Sequence, residues 1–432
     1  MILAHGALVR EEDQEAVLSR LEEEINETRA ARSLPPELVV NALDQLGKKL
    51  AAGTFDPLLA QLDVEGLDRH LEQVVFTLRR ETLEYRLSVE LGADFFRPGR
   101  TEPPFGQPSI TVRPMPLGTL LHIAAGNADV LPALSVVEGL LTGNINLLKL
   151  PQTDNGLTVA IFQALFAIEP ALADFVYVFD TPSTDLDTLR RLAELADGVV
   201  VWGGDEAVSA VRRFAPVGAK LVEWGHKLGF AYLSGYEDRE AELTALADHI
   251  ISTRQLLCSS CQTIFLDTDR LEEVTGFCKA FLPYLEDAAR RFPPATVGEA
   301  AELTLRRYTA RLERIAFGGG DGERTVYQGL GCSLTACPDS ELELSDLLGS
   351  CLVKRLPRER LFSVLRRHKG QLQTAGLICS PDRRAELTEQ LARCGLVRVT
   401  APGHMSESFC GEAHDGEYPL RRYVRMVSVE KV

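Results

Sequence analysis

Residues 118–150 decide how this chain is read: Gly118-Thr119-Leu120-Leu121-His122-Ile123-Ala124-Ala125-Gly126-Asn127, a helical pattern over Ala128–Leu141, then Thr142-Gly143-Asn144 and Ile145-Asn146-Leu147-Leu148-Lys149-Leu150. Two apolar runs of strand length flank one helix. Strands this apolar belong to parallel sheets covered by helices on both faces. Further runs follow at Phe175–Asp180, Val199–Trp202, Leu221–Trp224, Phe230–Ser234 and Thr263–Asp267. Strands alternating with helices predict right-handed crossovers and an α/β architecture. Ligands of such sheets bind beyond the carboxyl ends of the strands. There the reading places Asn127, Lys149, Gly203-Gly204, Glu223 and Cys258.

The 432 residues can bury a large core and predict two or three domains. A net charge of −16 argues against nucleic acid as a partner, because phosphate contacts need a basic surface. The start, Met1-Ile2-Leu3-Ala4-His5-Gly6, lacks a basic region and soon meets Glu11, Glu12 and Asp13, unlike a secretory signal. No apolar run approaches the ~20 residues of a membrane span. A cytoplasmic location is the resulting expectation. All nine cysteines lie at or after position 258, and an odd number without an export signal predicts reduced thiols.

Before residue 100 the pattern is helical. Asp13–Arg32 carries Val17, Leu18, Leu21 and Ile25 at helical spacing, Pro35-Pro36 opens a second helix, and Leu67–Leu91 reads as a third. At the other end, Arg421–Val429 alternates as a strand. It needs a partner, either the alternating stretch Ser109–Arg113 or a neighbouring subunit.

Cys258, in Arg254-Gln255-Leu256-Leu257-Cys258-Ser259-Ser260-Cys261-Gln262, stands out because thiolate is the strongest side-chain nucleophile near neutral pH. Glu223 precedes it in Leu221-Val222-Glu223-Trp224-Gly225-His226-Lys227. Taken alone, Cys258 has other readings: a buried inert thiol, a redox pair with Cys261, or half of a zinc site. Cys332 and Cys337 are too loosely spaced for the second half, so no metal is expected.

Four stretches in order resemble the aldehyde dehydrogenase superfamily. They are Gly126-Asn127 with Lys149, Val201-Trp202-Gly203-Gly204-Asp205-Glu206, Val222-Glu223-Trp224-Gly225-His226-Lys227, and Gln255–Cys258. Leu134–Leu141, Cys258-Ser259-Ser260, Pro402-Gly403-His404-Met405-Ser406 and His414-Asp415-Gly416 are similar to the acyl-CoA reductases typified by bacterial luminescence. The resemblance spans roughly residues 35 to 430. It implies two parallel-sheet α/β domains and a small β-strand oligomerisation element. Residues 1–98 and 115–225 would bind nucleotide, 226–417 would carry the thiol, and 99–114 with 418–432 would bridge subunits of a homo-oligomer.

The same resemblance makes Cys258 the nucleophile and gives the oxyanion to Asn127 and the backbone N–H of Cys258; the alternative for Asn127 is a helix cap. Lys149, Gly203 and Gly204 would hold the cofactor's ribose and phosphates, and Asp346 its nicotinamide ribose. Many NAD-preferring relatives carry Glu where this chain has Gln152, and a neutral side chain there does not repel a 2′-phosphate, so NADPH is expected over NADH. Glu223 is present although acyl-transferring members often lack this base, which leaves its role open between activating Cys258, handling protons and hydrolysing the acyl-enzyme. His404 and His414 are candidate acids or bases, or exposed bystanders.

The activity implied is reduction of an acyl thioester to an aldehyde through an acyl-cysteine. The acyl donor would be CoA, a carrier protein or an acyl-synthetase partner. Two alternatives are an aldehyde dehydrogenase that forms acid through Glu223, and a non-catalytic acyl-binding subunit.

Overall fold

The computed structural model describes residues 2–61, 67–92, 99–101, 110–124, 130–294 and 324–430, with a few helical positions between 297 and 312. Asn127, Gly126, Ser109 and the glycine run 318–320 lie outside the described residues. Contacts divide the chain into two compact units, 1–225 with 409–432 and 226–408.

The first unit is built on a seven-stranded sheet. Strands β1 (Ile2–Ala4) and β2 (Ala7–Val9) form a hairpin, β3 (Gly99–Thr101) and β4 (Ile110–Pro116) belong to a separate small sheet, and β5 (Thr119–Ile123), β6 (Ile145–Lys149), β7 (Val176–Phe179), β8 (Gly198–Trp202) and β9 (Lys220–Trp224) complete the large one. Its order is β2-β1-β7-β6-β5-β8-β9. Strands β5 to β9 are parallel, and the hairpin adds an antiparallel edge through β1 against β7. The hairpin turns at His5-Gly6, both with positive φ, at 48° and 75°. Such a turn matches strand twist, but its arms are too short to show as alternation in sequence.

The helix Leu131–Leu141 shows why local sequence and sheet agree. Gly139 faces β6, and a Cβ there would run into the fully buried Asn146 side chain. Glycine therefore lets the helix lie close to the strand. The segment read as one helix over Leu67–Leu91 is two, Leu67–Leu78 and Arg80–Leu91. Arg79 between them is extended, and the backbone N–H of Arg80 donates to Asp44 Oδ1 at 3.2 Å. A side-chain acceptor from another helix caps the second helix, information that helical periodicity does not carry.

The second unit holds β10 (Leu228–Ser234), β11 (Cys261–Leu266), β12 (Thr325–Gln328), β13 (Ser333–Cys337), β14 (Ser350–Arg355), β15 (Leu372–Cys379) and β16 (Arg398–Thr400), in the order β12-β13-β14-β11-β10-β15-β16. All pairs are parallel except β12 with β13. The terminal strand β17 (Val424–Glu430) pairs antiparallel with β4, Val427 opposite Arg113, and β3 flanks β4. Residues 409–417, read as part of the thiol domain, group instead with the first unit. Hydrogen bonds hold this terminal segment there: Leu420 N–H donates to Glu90 Oε2 at 2.7 Å and Asn144 Nδ2 to Tyr423 O at 3.0 Å.

Among the described residues no helix is long and apolar enough to cross a membrane.

His122, fully buried on β5, lies 3.0 Å from Asn146 Oδ1 through Nε2 and 2.7 Å from Ser135 Oγ through Nδ1. Burial pushes its pKa down to about 4, and does the same to His249 in the second unit. The folded protein keeps both rings neutral while the unfolded chain takes up protons near pH 6.5. Stability is therefore full above about 6.5 and falls as pH drops toward 4. Urea unfolding over this window should show a loss of up to ~3 kcal/mol per histidine, and the slope should shrink in His122→Gln.

Candidate active site

The thiol turn runs from the helix Arg239–Ser252 into β11. Cys258 thus follows a helix and precedes its strand. It stands at the amino end of the second sheet, not at the carboxyl end where the sequence reading placed it. Lys149, Gly203-Gly204 and Glu223 do lie at the carboxyl ends of β6, β8 and β9 in the first unit. Of the five groups read at one rim, Lys149, Gly203-Gly204 and Glu223 belong to the first unit and Cys258 to the second, while Asn127 lies outside the described residues.

Backbone strain concentrates at the thiol turn. Six non-glycine residues have positive φ among those described, and four of them are Arg254 (51°), Gln255 (59°), Leu347 (62°) and Leu348 (52°). Each costs roughly 1–2 kcal/mol. The cost is offset by buried amides that join the two turns. Gln255 Nε2 donates to Cys261 O at 2.8 Å and to Ser345 Oγ at 3.1 Å, while its Oε1 accepts from Gly349 N–H at 3.1 Å. Gln262 Nε2 donates to Gln255 O at 2.9 Å, and Ser345 Oγ donates to Gln262 Oε1 at 2.8 Å. Below the turn, a Cβ on Gly229 would meet the carbonyl oxygens of Ser259 and Ser260 at 2.6 and 2.5 Å. Strain held in place by surrounding structure is characteristic of functional sites.

Cys258 is exposed, whereas Cys261 is fully buried; of the nine free thiols only Cys258 and Cys410 are exposed. This removes Cys261 as a competing surface nucleophile. Gln373 Nε2 donates to Cys258 Sγ at 3.3 Å, and a donor aimed at sulfur supports negative charge there. Gln262, Ser345 and Gln373 were not identified from sequence, since nothing marks a buried amide until the strands bring it to the turn. Asp346 follows Ser345 on the adjoining turn and is exposed. Cys337, Asp339 and Glu343 form a possible metal cluster. However, the buried Lys354 ammonium donates to both carboxylates at 2.6 Å and supplies their countercharge.

In the first unit Lys149 is 3% exposed and donates to Ser183 Oγ at 2.9 Å. Burial lowers its pKa, and nearby Asp180 opposes that shift. Thr181 Oγ1 is buried without a hydrogen-bond partner. Gly204 caps the helix Asp205–Phe214, and a Cβ there would meet nothing within 4 Å. A buried ammonium, an orphaned hydroxyl and an open helix N-terminus fit the sugar and phosphates of a dinucleotide. Asp205 and Glu206 occupy the first turn of that helix and are exposed. Gln152 is also exposed, just beyond β6.

The tryptophans Trp202 and Trp224 end β8 and β9 and stack at 5.3 Å. His414 lies 5.4 and 5.0 Å from their ring centroids, while His404 sits in a short helix of the other unit. Glu223 is not a free base. Arg212 Nε donates to its Oε1 at 2.5 Å and Nη2 to its Oε2 at 2.6 Å. The Arg212 hydrogen bonds hold its pKa below the usual carboxylate value, against a partial desolvation.

Comparisons with known proteins establish the fold and the family. Among solved structures, the NADP-dependent glyceraldehyde-3-phosphate dehydrogenase from Bacillus halodurans C-125, complexed with NADP, matches with a TM-score of 0.71 at 14% identity, covering 99% of this chain and 98% of that one. A lactaldehyde dehydrogenase matches at 0.68 and 15%, covering 99% and 95%. The fold is that of the aldehyde dehydrogenases. Long-chain acyl-protein thioester reductases from Aliivibrio fischeri and Photorhabdus luminescens are 25% and 24% identical over 74% of this chain. The matched part covers 65% of each relative, so the chain spans just under two thirds of their length. The model of the acyl-CoA reductase (LuxC) family matches residues 35–426, and the chain belongs to that family.

Proposed function

We propose that the chain reduces an acyl thioester to an aldehyde with NADPH, through an acyl group carried on Cys258. The observation that carries this is the exposed Cys258 thiol, held on a strained turn with an amide donor at its sulfur. Family membership and the names of the relatives support the substrate class. The donor would be acyl-CoA, an acyl-carrier protein or an acyl-synthetase partner.

In this mechanism Cys258 Sγ attacks the acyl carbonyl carbon, a new carbon–sulfur bond forms, and the donor thiol leaves. The carbonyl oxygen becomes an oxyanion on attack, and Asn127 with the backbone N–H of Cys258 holds it; one such fixed donor is worth ~2.7–4 kcal/mol. A nicotinamide, when bound, would supply the hydride by which the acyl-cysteine becomes a thiohemiacetal. Collapse of the thiohemiacetal releases the aldehyde and restores the thiolate of Cys258. Lys149, Gln152, Gly203 and Gly204 would hold the cofactor, and Asp346 the nicotinamide ribose. The uncharged Gln152 admits a 2′-phosphate.

Incubation with a long-chain acyl-CoA should add one acyl group by intact mass. Cys258→Ala should abolish both the adduct and aldehyde formation, while Cys261→Ala should keep the adduct. Peptide mapping that placed the acyl group on Cys261 would overturn the assignment.

NADPH should bind more tightly than NADH, and Gln152→Glu should narrow or reverse that preference by repelling the 2′-phosphate. The chain has only two tryptophans, stacked where β8 and β9 end. Quenching of their fluorescence offers a direct titration, and equal affinities in the unmodified protein would remove the argument.

A further inference from the structure

Within the second unit, the carboxyl ends of β10 and β11 lie roughly 20 Å from the thiol turn, the length of the six-residue strand Cys261–Leu266. The winding of the sheet reverses there. From β10 the chain runs through the helix Arg239–Ser252 to β11 on one side, and from β15 through the helix Arg384–Cys394 to β16 on the other. The two helices pack on opposite faces. The first shares a core cluster with Ala231 and Leu233 of β10, the second with Phe230 and Tyr232. Such a divergence opens a crevice beyond the carboxyl ends, the usual ligand position of a doubly wound sheet. The crevice here measures about 600 Å³, the size of a small-molecule site.

Arg239 and Arg383 enter it from the two helix starts. Arg383 Nη1 donates to Ser234 Oγ at 3.1 Å, while its Nε and Nη2 and all of Arg239 make no hydrogen bond among the described residues. Nearby acids are engaged: Glu273 pairs with Arg270 at 3.2 Å, and Glu240 accepts from Tyr284 Oη at 2.6 Å. Unused guanidinium forks suit a phosphate. A diphosphate on the helix N-terminus is disfavoured, because Asp238 already accepts from Ala241 N–H at 3.1 Å and Glu240 and Glu242 fill the first turn. Asp267, at the end of β11, has its charge balanced by Arg358 and Arg383. It accepts from Ser234 Oγ at 2.6 Å and Arg358 N–H at 2.9 Å, two of about four acceptor sites on a carboxylate. The remainder suits sugar hydroxyls, the role of an acid at the end of the second strand in nucleotide-binding units. Half-buried Tyr236, with the Arg239 guanidinium 5.7 Å from its ring centroid, and apolar Phe277 offer a surface for a flat base. Gly276 on the crevice wall lies inside the helix Leu271–Arg291, where glycine is unfavourable, and a Cβ there would meet nothing within 4 Å.

We propose that this crevice binds a nucleoside monophosphate, at a site of the second unit separate from the thiol. The phosphate lies between Arg239 and Arg383, the sugar on Asp267, and the base on Tyr236 and Phe277.

The test is photolabelling with 8-azido-AMP followed by peptide mapping. The label should fall on the peptide carrying Tyr236, and AMP should protect that peptide. Arg239→Ala should raise the half-protecting AMP concentration roughly tenfold, the worth of one charge-assisted contact. Gly276→Leu fills the crevice without removing a charged group. It should abolish labelling of the Tyr236 peptide while its thermal unfolding midpoint stays at or above that of the unmodified protein. Labelling confined to peptides of the first unit, or AMP protection unchanged in Arg239→Ala, would overturn the site. Inorganic phosphate that protects as well as AMP would reduce it to an anion pocket and overturn the nucleotide assignment.

Discussion

The second unit's site depends on two glutamine side chains buried where two turns meet. Gln255 and Gln262 place their amides where backbone groups of both turns would otherwise have no partner. An unpaired buried donor or acceptor costs about 1–3 kcal/mol. Satisfying several at once is what holds Arg254, Gln255, Leu347 and Leu348 in left-handed backbone. Release of that strain would let Cys258 drift from Gln373. The thiol is thus positioned by hydrogen bonds rather than by hydrophobic packing, and it stays exposed.

The first unit solves a different problem, placing polar groups at the carboxyl ends of parallel strands without leaving its core unsatisfied. Below the strand ends, Trp202 Nε1 donates to Ser135 Oγ, Ser135 contacts His122, and His122 contacts Asn146. Each member of this chain is paired, and the low pKa of His122 keeps it uncharged where a charge would be costly. At the strand ends the balance changes. Thr181 keeps an orphaned hydroxyl and Lys149 a buried ammonium, costs that a dinucleotide bound as proposed above would relieve.

Electrostatics also separates the roles of two carboxylates. Glu90 is buried beside Arg86, accepts from Leu420 N–H, and so anchors the terminal segment. Glu223 is partly exposed and held by the more exposed Arg212, a solvated pairing that contributes little to folding. The first is an architectural ion pair, and the second is a solvated one.

The architecture was legible in the sequence because strands buried on both faces must be apolar throughout, and Leu120, Leu147 and Val199 are so wherever the core demands it. The pairing of β17 with β4 was legible for a related reason: strong alternation needs a partner strand. Cys258 stood out in the sequence by its place in an ordered set of motifs, and the fold leaves its thiol exposed. Other features were not. Its position at the amino end of its strands, the split at Arg79, the N-terminal hairpin and the grouping of 409–417 with the first unit depend on partners far away in the chain. So do the Gln373 donor and the Arg212 clamp. The sequence alone determined which residues are apolar, which can ionise and where turns fall, because those are properties of single side chains and short spacings. Only the tertiary structure decided which charge meets which, because Coulomb energies and hydrogen bonds depend on distances of a few ångströms that no linear spacing records.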